Sequence, residues 1–384
     1  MRNISIRTLV AALSLAGAVN VQAAEVIKIG VNQPLTGVVA AAGTFVAEGA
    51  KIAAAEINDN GGVLGKQIQL IIEDNKSNPT EASNVTEKLI VRDKVPALLG
   101  AWSSTYTLAA MPKLMEYKIP MLVETASSSK ITQQGNPYVF RISPTSAMEA
   151  ETFAARVKPM GIKRVEFLVV NNDWGLGAAQ AYGAMLEKEG VEVGKTHIMD
   201  AAAQDMTSQL SEIKHAKKAP THVFLTSGTE QITLVMKQAE ALGLNLPVIT
   251  TGGIMPQQLI QHAGSAANNT YHVMFFVPWF PDATLSPDRA RDFIARWEKR
   301  GLDPAGMPEG ARGYDGIQTL AAAIEKAGKA DPKLITEALW DVEFDGLTGK
   351  VKFHKDGPEG KASGQSKPMT YLVKVEDGKI VNAD

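Results

Sequence analysis

Patterns typical of β-strands and α-helices alternate along this chain, and this alternation restricts the fold more than any other feature of the sequence. The first run opens with a strand pattern at residues 26–31 and an Ala-rich helix pattern at residues 45–57. A later helix begins at Asn78, with Asn as N-cap, Pro79 at the first position and Glu81 at the third. Further strands of this run are predicted at residues 68–73, 97–100 and 121–123. Repeated strand–helix units form parallel sheets covered by helices on both faces.

A second run of the same kind begins after residues 139–142. Its strands are predicted at residues 164–170, 192–198, 221–226, 247–251 and 271–277. The tail differs, because its short strands are joined by Asp-Gly turns, which are typical of β-hairpins. Two runs predict two α/β domains, and a mature chain of about 360 residues is long enough for both. Since open α/β sheets bind ligands beyond the carboxyl ends of their strands, we expect the functional residues in post-strand loops.

Residues 1–23 have the three-part layout of a secretory signal peptide. Arg2 and Arg7 supply positive charge, residues 9–19 form a short apolar run, and small residues lie before a cleavage point after Ala23. The apolar run is too short to span a bilayer as a helix. We therefore expect an exported chain, the alternative being an amphipathic helix of the folded domain.

The composition narrows the function classes of the mature chain. Loss of Arg2 and Arg7 leaves 37 of the 39 basic residues against 41 acidic ones, a net charge of −4. Because the sequence has no basic run or stripe, we expect no nucleic-acid binding. The sequence has no cysteine, which excludes disulfides, thiolate metal sites, cysteine nucleophiles and a lipoprotein anchor.

Two post-strand loops in the first run are rich in small hydroxyl residues. Residues 100–105 follow a buried strand and enter a helix, and residues 124–129 follow the next strand. Because a helix N-terminus favours an anion, we expect a carboxylate to accept hydrogen bonds from Ser104, Ser127 and their backbone amides. Plain N-capping is the alternative for either loop alone, since Ser and Thr are preferred caps.

Aromatic residues cluster at the same strand ends. Trp102 and Tyr106 lie in the first hydroxyl loop, Trp174 follows the strand at 164–170, and Phe276 lies at the end of the strand at 271–277. Aromatic faces in a cleft provide apolar area for a ligand. The alternative for each ring is packing in a core.

Enzyme motifs are incomplete in this sequence. Residues 175–180 begin like a dinucleotide-binding fingerprint, but Gln180 stands where the third Gly or Ala is required. No Walker loop, HExxH or GxSxG motif occurs, and the six histidines show no metal-ligand spacing. We therefore expect no catalytic residue, no metal site and no cofactor.

Seven segments together resemble the periplasmic branched-chain amino acid binding proteins of ABC transporters, the leucine/isoleucine/valine-binding type. They are IKIGVNQPLTG, AEGAKIAAAEINDNGGVLGKQIQLIIEDNKSNP, LLGAWSST, IPMLVETASSSKIT, YVFRISPT, VNNDWGLGAA and GYDGIQTLAAAIEKAG. The resemblance covers nearly the whole mature chain. It implies the type I periplasmic binding protein fold, an α/β architecture of two Rossmann-like lobes that are joined by three hinge crossovers and close over a ligand.

The resemblance also implies the domain boundaries. Residues 24–142 plus 279–347 would form the N-terminal lobe, and residues 143–278 plus 348–384 the C-terminal lobe. The crossovers are expected near residues 142–144, 277–279 and 347–352.

Ligand contacts follow from the resemblance by position. Ser104 and Ser127 would bind the ligand carboxylate, the backbone of Thr125 would accept from a ligand ammonium, and Trp174 would supply the aromatic face of the opposite lobe. The remaining expected ligand-binding residues, drawn from both lobes, are Trp102, Ser103, Ala126, Thr229, Gly252 and Phe276.

One loop departs from the family pattern. Amino-acid-binding members carry, after a late strand of the second lobe, a carboxylate that holds the ligand ammonium, whereas residues 250–253 here read Thr-Thr-Gly-Gly. Thr229 likewise stands where members often carry an aromatic residue. Because a buried ammonium without an anionic partner is costly, either Glu124, Glu230 or Asp173 supplies the charge or the ligand has no ammonium.

The expected function is that of a non-catalytic solute receptor in the periplasm. It would capture a small hydrophobic or aromatic carboxylate and present it to an inner-membrane ABC permease, as a monomer that is not inserted in the membrane. The alternatives are a branched-chain or other amino acid binding protein of the same transporter class, a sensory receptor subunit and a secreted enzyme.

Overall fold

The computed structural model describes residues 26–252 and 255–384. The signal peptide predicted at residues 1–23 therefore lies outside the described residues. Within the described ranges, none of the helices is both long enough and apolar enough to cross a membrane.

The elements alternate as the sequence predicts. Strands β1 to β16 are, in chain order, Val26–Gln33, Gln67–Asp74, Leu98–Gly100, Met121–Val123, Val139–Arg141, Arg164–Val170, Glu192–Met199, His222–Thr226, Val248–Thr251, Thr270–Met274, Glu343–Gly346, Gly349–Lys352, His354–Asp356, Ser363–Gln365, Tyr371–Glu376 and Lys379–Asn382. Helices α1 to α12 are Ala40–Asp59, Pro79–Val91, Ser104–Tyr117, Lys130–Gln133, Ser146–Phe153, Asp173–Lys188, Thr207–Lys214, Thr229–Ala241, Pro256–Ala263, Pro287–Lys299, Met307–Ala327 and Pro332–Leu339.

Fourteen of these strands form two seven-stranded sheets, one in each lobe, and β11 and β12 pair antiparallel in a separate two-stranded sheet. The sheet of the N-terminal lobe has the order β13-β14-β5-β4-β3-β1-β2, and that of the C-terminal lobe β16-β15-β10-β9-β8-β6-β7. Neighbouring strands from β1 to β5 and from β6 to β10 are all parallel, and antiparallel pairs occur only where tail strands take part. The α/β two-lobed fold class is therefore confirmed.

Local sequence signals explain how these elements begin. The Asn78 side chain accepts hydrogen bonds from the backbone amides of Thr80 and Glu81, at 2.9 and 3.1 Å, and Pro79 opens α2 as predicted. In the tail, Asp377 and Gly378 both have positive φ values, 49° and 69°, which suit the tight turn between β15 and β16.

Each sheet is covered by helices on both faces. The N-terminal lobe buries one face under α1, α10, α11 and α12, where Phe293, Trp297 and Tyr314 form an aromatic cluster, and the other face under α2 and α3. The C-terminal lobe buries its sheet between α7, α8 and α9 on one side and α5 and α6 on the other. Burial of these apolar faces is the main source of stability in a chain without disulfides.

The chain passes between the two lobes at three places, and the first two lie before the tail strands. The first runs from β5 in one sheet to α5, whose Ala150 and Phe153 pack in the core of the other lobe. The second follows β10, because Val277 packs in the C-terminal lobe while Phe276 already lies in the core of the N-terminal lobe.

The third crossover lies further along the chain than predicted. Strands β13 and β14 belong to the sheet of the N-terminal lobe, with Gly364 paired to Phe140 and Gln365 to Arg141. The buried Arg141 guanidinium fixes this pairing, since its Nε donates to the side chain of Gln365 at 2.6 Å. The assignment of the whole of residues 348–384 to the C-terminal lobe is therefore corrected, and the chain crosses between Gln365 and Tyr371.

Candidate functional site

A cavity lies between the two lobes at the carboxyl ends of their parallel strands. It encloses about 660 Å³ of space, its open mouth included. The predicted site residues that the structure brings together in its lining are Trp102, Ser103, Ser104, Thr125, Ala126, Ser127, Trp174 and Gly252. Lining residues that the sequence analysis did not include in the expected binding set are Val38, Val39, Tyr106, Glu149, Val170, Asn172, Ala201, Ser227, Gly228, Gln231 and Phe275.

The two hydroxyl loops form the wall contributed by the N-terminal lobe. Ser104 is the first residue of α3, and its Oγ accepts a hydrogen bond from the backbone amide of Ser128 at 3.1 Å. The Ser127 Oγ lies 3.2 Å from the Oγ of Ser146 on α5, while the buried Thr125 Oγ1 has no hydrogen-bond partner among the described residues. The wall thus presents hydroxyl groups beside a helix N-terminus, which suits an anion.

Buried polar contacts hold these loops in place. Arg141 donates from Nη1 to the backbone oxygens of Ala126 and Ser128, at 3.1 and 2.7 Å. Trp102 has a left-handed backbone, with φ 56°, and its Nε1 donates to Oε2 of Glu309 on α11 at 2.8 Å. Because both loops are fixed from behind, their cavity-facing groups are positioned in advance of any ligand.

The opposite wall centres on Trp174, near the start of α6. The Asn172 side chain caps this helix by accepting from the backbone amide of Gly175 at 2.8 Å. Gly252, at φ 91°, follows β9 and lies directly against the indole, so that a Cβ there would overlap the Trp174 ring. The Trp174 indole therefore occupies the space that a side chain at position 252 would fill.

Two predicted residues lie behind the cavity wall. Phe276 is fully buried in the core of the N-terminal lobe, with its ring centroid 5.7 Å from that of Phe293, and the preceding residue, Phe275, lines the cavity instead. Successive residues of an extended segment point to opposite sides, so the sequence prediction missed by one position. Thr229 is buried at the start of α8, where its Oγ1 accepts from the backbone amide of Met255 at 3.3 Å.

Glu149 is the carboxylate among the described lining residues, and it is absent from the residues predicted from the sequence. It lies on α5, fully buried; its Oε2 accepts a hydrogen bond from Thr251 Oγ1, and its Oε1 has no hydrogen-bond partner among the described residues. Burial raises the pKa of Glu149 to about 7, against the opposing effects of the Thr251 hydrogen bond and the charges of Arg312 and Arg141. No local sequence pattern distinguishes Glu149, because its burial arises from contacts with Thr251 and other distant residues.

The acids proposed from sequence to replace the missing carboxylate lie elsewhere. Glu124 is buried behind the wall, where its Oε1 accepts from Gln33 Nε2 at 2.8 Å, and burial raises its pKa to about 7. Glu230 is exposed at the start of α8. Asp173 lies at the rim, where it accepts hydrogen bonds from Lys130 Nζ at 2.9 Å and Thr105 Oγ1 at 3.1 Å.

Arg312 brings a buried positive charge to the cavity from α11. Its guanidinium carbon lies 4.3 Å from the centroid of the Phe275 ring, and its Nη2 donates to the backbone oxygen of Gly252 at 3.4 Å. Its Nε is 3.4 Å from Glu309 Oε1, yet Nε and Nη1 have no hydrogen-bond partner among the described residues. The Glu309–Arg312 pair of α11 therefore contacts residues on both sides of the cavity: Glu309 binds Trp102, and Arg312 binds Gly252.

The lobes touch across the cleft in this conformation. Lys130 and Thr105 of the N-terminal lobe bind Asp173 of the C-terminal lobe, and Arg312 reaches Gly252 in the same direction. With these contacts in place, the two lobes are closed around the cavity.

Proteins of known family share this architecture. A family model described as "Periplasmic binding protein" matches residues 26–379. The chain is 30% identical over 382 residues to the Leu/Ile/Val-binding protein BraC3 of Rhizobium johnstonii, with 98% of each chain covered.

Solved structures are similar over the same length. A leucine binding protein of Thermotoga maritima is 27% identical, with a TM-score of 0.82, covering 93% of this chain and 98% of that one. A solute binding protein of an ABC transporter from Rhodopseudomonas palustris, in complex with 3,4-dihydroxybenzoic acid, is also 27% identical, with a TM-score of 0.80, covering 93% and 95%. With the match over residues 26–379 and the two parallel sheets around one cavity, this chain belongs to the periplasmic binding protein family.

Proposed function

We propose that this chain is the periplasmic solute-binding component of an ABC transporter and captures a small hydrophobic or aromatic carboxylate between its lobes. The observation that carries the proposal is the cavity between the lobes, where hydroxyl loops at a helix N-terminus face an indole ring. The similar protein of Thermotoga maritima is described as a leucine binding protein, and that of Rhodopseudomonas palustris is in complex with 3,4-dihydroxybenzoic acid. Leucine and 3,4-dihydroxybenzoic acid both carry a carboxyl group.

The carboxylate would be anchored by the N-terminal lobe. Ser104 and Ser127 offer hydroxyl groups in the cavity lining, and the Thr125 hydroxyl is buried without a partner among the described residues. The N-terminus of α3 adds the favourable end of a helix dipole. Such charge-assisted hydrogen bonds are stronger than neutral ones, so this wall sets the orientation of the ligand.

The body of the ligand would lie between aromatic and aliphatic faces. Trp102 and Tyr106 line the cavity from the N-terminal lobe, Trp174 does so from the C-terminal lobe, and Phe275 lies at the second crossover. Burial of a flat or branched apolar body between these side chains removes its surface from water. Because the ligand contacts both lobes, it stabilises the closed state over the open one.

An amino acid is a second candidate ligand, and Glu149 favours it. Glu149 places a carboxyl group in the cavity lining, beside Thr251 and next to the position where the family's acid is absent. An ionised Glu149 would pair with a ligand ammonium and offset the cost of burying it. After release, either ligand would pass chemically unchanged to an inner-membrane permease.

A binding experiment tests the proposal. Thermal shift followed by titration calorimetry would use leucine, phenylalanine, benzoate and 4-hydroxybenzoate, since a specific ligand raises the unfolding midpoint. Replacement of both Ser104 and Ser127 by Ala removes two hydrogen bonds to a charged group, so affinity should fall about 100-fold. Ser208→Ala, an exposed position on α7, is the matched control and should leave affinity unchanged.

The outcomes separate the two parts of the proposal. Binding of a carboxylate by the wild-type chain with unchanged affinity in the double variant would contradict the anchor residues. Failure of every probe to bind would contradict the proposed function.

A further inference from the structure

Glu149 lines the cavity, and one of its two carboxyl oxygens has no hydrogen-bond partner among the described residues. One oxygen, Oε2, accepts from Thr251 Oγ1, and the other, Oε1, is buried with no hydrogen-bond partner among the described residues. Buried polar atoms in folded proteins almost always have partners, because an unpaired one loses its hydration without compensation. A ligand that fills the cavity is the natural source of that partner.

The position of Glu149 restricts which part of the ligand it can contact. Glu149 and Ser146 lie on the same side of α5, three residues apart, and the Ser146 hydroxyl lies 3.2 Å from that of Ser127. Ser127 is one of the proposed carboxylate anchors. The group that meets Glu149 must therefore be close to the carboxylate along the ligand, as a substituent on the neighbouring carbon is.

The groups that face Glu149 come from four elements. Thr251 of β9 hydrogen-bonds it, and Tyr182 of α6, whose hydroxyl is buried without a partner among the described residues, interacts with its charge. Arg312 of α11 and Arg141 of β5 are the positive charges that act on it. Arg141 is held by the loop oxygens behind the wall, whereas two nitrogens of Arg312 are without hydrogen-bond partners among the described residues.

We propose that Glu149 is the specificity-determining residue of the cavity, retaining carboxylates that carry a hydrogen-bond donor on the carbon next to the carboxyl group. The inference rests on the proposed function. A hydroxyl group and an ammonium group both satisfy this requirement, and they differ in their effect on the proton of Glu149. Burial raises the pKa of Glu149 to about 7, so the empty site at neutral pH is a mixture of the neutral and ionised forms.

The two donors are distinguished by proton release. A ligand ammonium favours the ionised carboxylate, so its capture expels the proton from the fraction of molecules that still carry it. Because burial raises the pKa of Glu149 to about 7, binding of an ammonium ligand at neutral pH should release a measurable fraction of a proton per ligand. A ligand hydroxyl donates to either form and carries no charge, so its capture should release a smaller fraction of a proton than capture of the ammonium compound does.

A matched series of probes tests the inference. The compounds 3-phenylpropionate, 3-phenyllactate and phenylalanine share one skeleton and differ only in the hydrogen, hydroxyl or ammonium on the carbon next to the carboxylate. The corresponding leucine series is 4-methylpentanoate, 2-hydroxy-4-methylpentanoate and leucine. In at least one series we expect a donor-bearing compound to bind 10-fold or more tightly than its unsubstituted analogue, since an unpaired buried acceptor costs about that factor.

Variants of Glu149 assign the preference to this side chain. Glu149→Met keeps the approximate shape and removes the acceptor, so the preference for a donor should disappear. Glu149→Gln keeps an acceptor without a charge, so it should retain the hydroxyl compound, weaken the ammonium compound and abolish proton release. Glu124→Gln, which changes an equally buried acid outside the described cavity lining, is the matched control and should keep the full preference.

Calorimetry in two buffers of different ionisation enthalpy measures affinity and proton release together. Equal affinity of the unsubstituted and donor-bearing compounds in wild-type protein would overturn the inference while leaving the proposed function intact. A preference that persists in Glu149→Met would also overturn it. Binding of no probe in either series or in the earlier panel would instead refute the proposed function on which the inference rests.

Discussion

Glu124 and Glu149 make the stability of this protein depend on pH in an unusual direction. Both carboxyls are fully buried, and burial raises the pKa of each from 4.5 to about 7. The folded protein therefore keeps protons that the unfolded chain has already released between about pH 4.5 and pH 7. Because the folded state binds more protons in this window, the free energy of unfolding falls as the pH rises through it.

Glu124→Gln isolates one of these carboxyls. At about 1.4 kcal/mol per pKa unit, a rise from 4.5 to about 7 makes the folded protein about 3 kcal/mol less stable above pH 7 than below pH 4.5, per carboxyl. The Gln amide has no proton to lose, and its oxygen can still accept from Gln33. As the pH rises from about 4.5 to 7, the free energy of unfolding of the variant should therefore increase by about 3 kcal/mol relative to that of the wild-type protein. Above pH 7 this difference should stay constant.

Urea unfolding of the ligand-free protein at several pH values measures the difference. Subtraction of the variant from the wild-type profile cancels the contributions of carboxyl groups common to both proteins. Glu230→Gln, exposed at the start of α8, is the control and should follow the wild-type profile. A constant difference between Glu124→Gln and wild type across this pH range would refute the reasoning that burial keeps Glu124 neutral.

Two further predictions concern the walls of the cavity. Gly252→Ala places a Cβ in the Trp174 ring at a backbone angle, φ 91°, that only glycine adopts easily, so we expect lower stability and weaker ligand binding. Gly177→Ala, where a Cβ meets nothing within 4 Å, is its control, and equal effects of the two changes on ligand binding by calorimetry would contradict the role of the Gly252 contact. Asp173→Asn removes the charge that pairs with Lys130 across the cleft; that pair is largely exposed, so we expect a loss of ligand affinity of up to about 5-fold at low salt that shrinks as salt is added. An affinity that is unaffected at low salt would show that the pair does not contribute to closure.

Most of the fold could be predicted from the sequence because the signals for its strands, helix caps and turns are local. The strand runs are short and apolar, the helices between them begin at recognisable caps such as Asn78, and the Asp377-Gly378 turn follows from residues that tolerate positive φ. Each of these depends on a few neighbouring residues, so a pattern is enough to predict it. The two hydroxyl loops and Trp174 were predicted for the same reason, since each directly follows a recognisable strand.

Two features of the structure were decided by contacts between distant segments. Phe276 packs against Phe293 in the core of the N-terminal lobe while Phe275 lines the cavity, and strand alternation alone fixes this choice only to within one residue. The third crossover moved because β14 pairs with β5, more than 200 residues away, through Gln365 and Arg141. No local signal specifies such a pairing.

Glu149 shows most clearly where the sequence alone stops. The sequence established that the expected acid is missing at Gly252, and hence that an ammonium would need another partner or be absent from the ligand. Only the tertiary structure showed that α5 places a buried carboxyl beside Thr251, against that same loop. The physical reason is that burial and charge depend on what packs around a residue in three dimensions. A glutamate on a short helix has no distinguishing sequence pattern, because its burial depends on the residues of both lobes that pack around it.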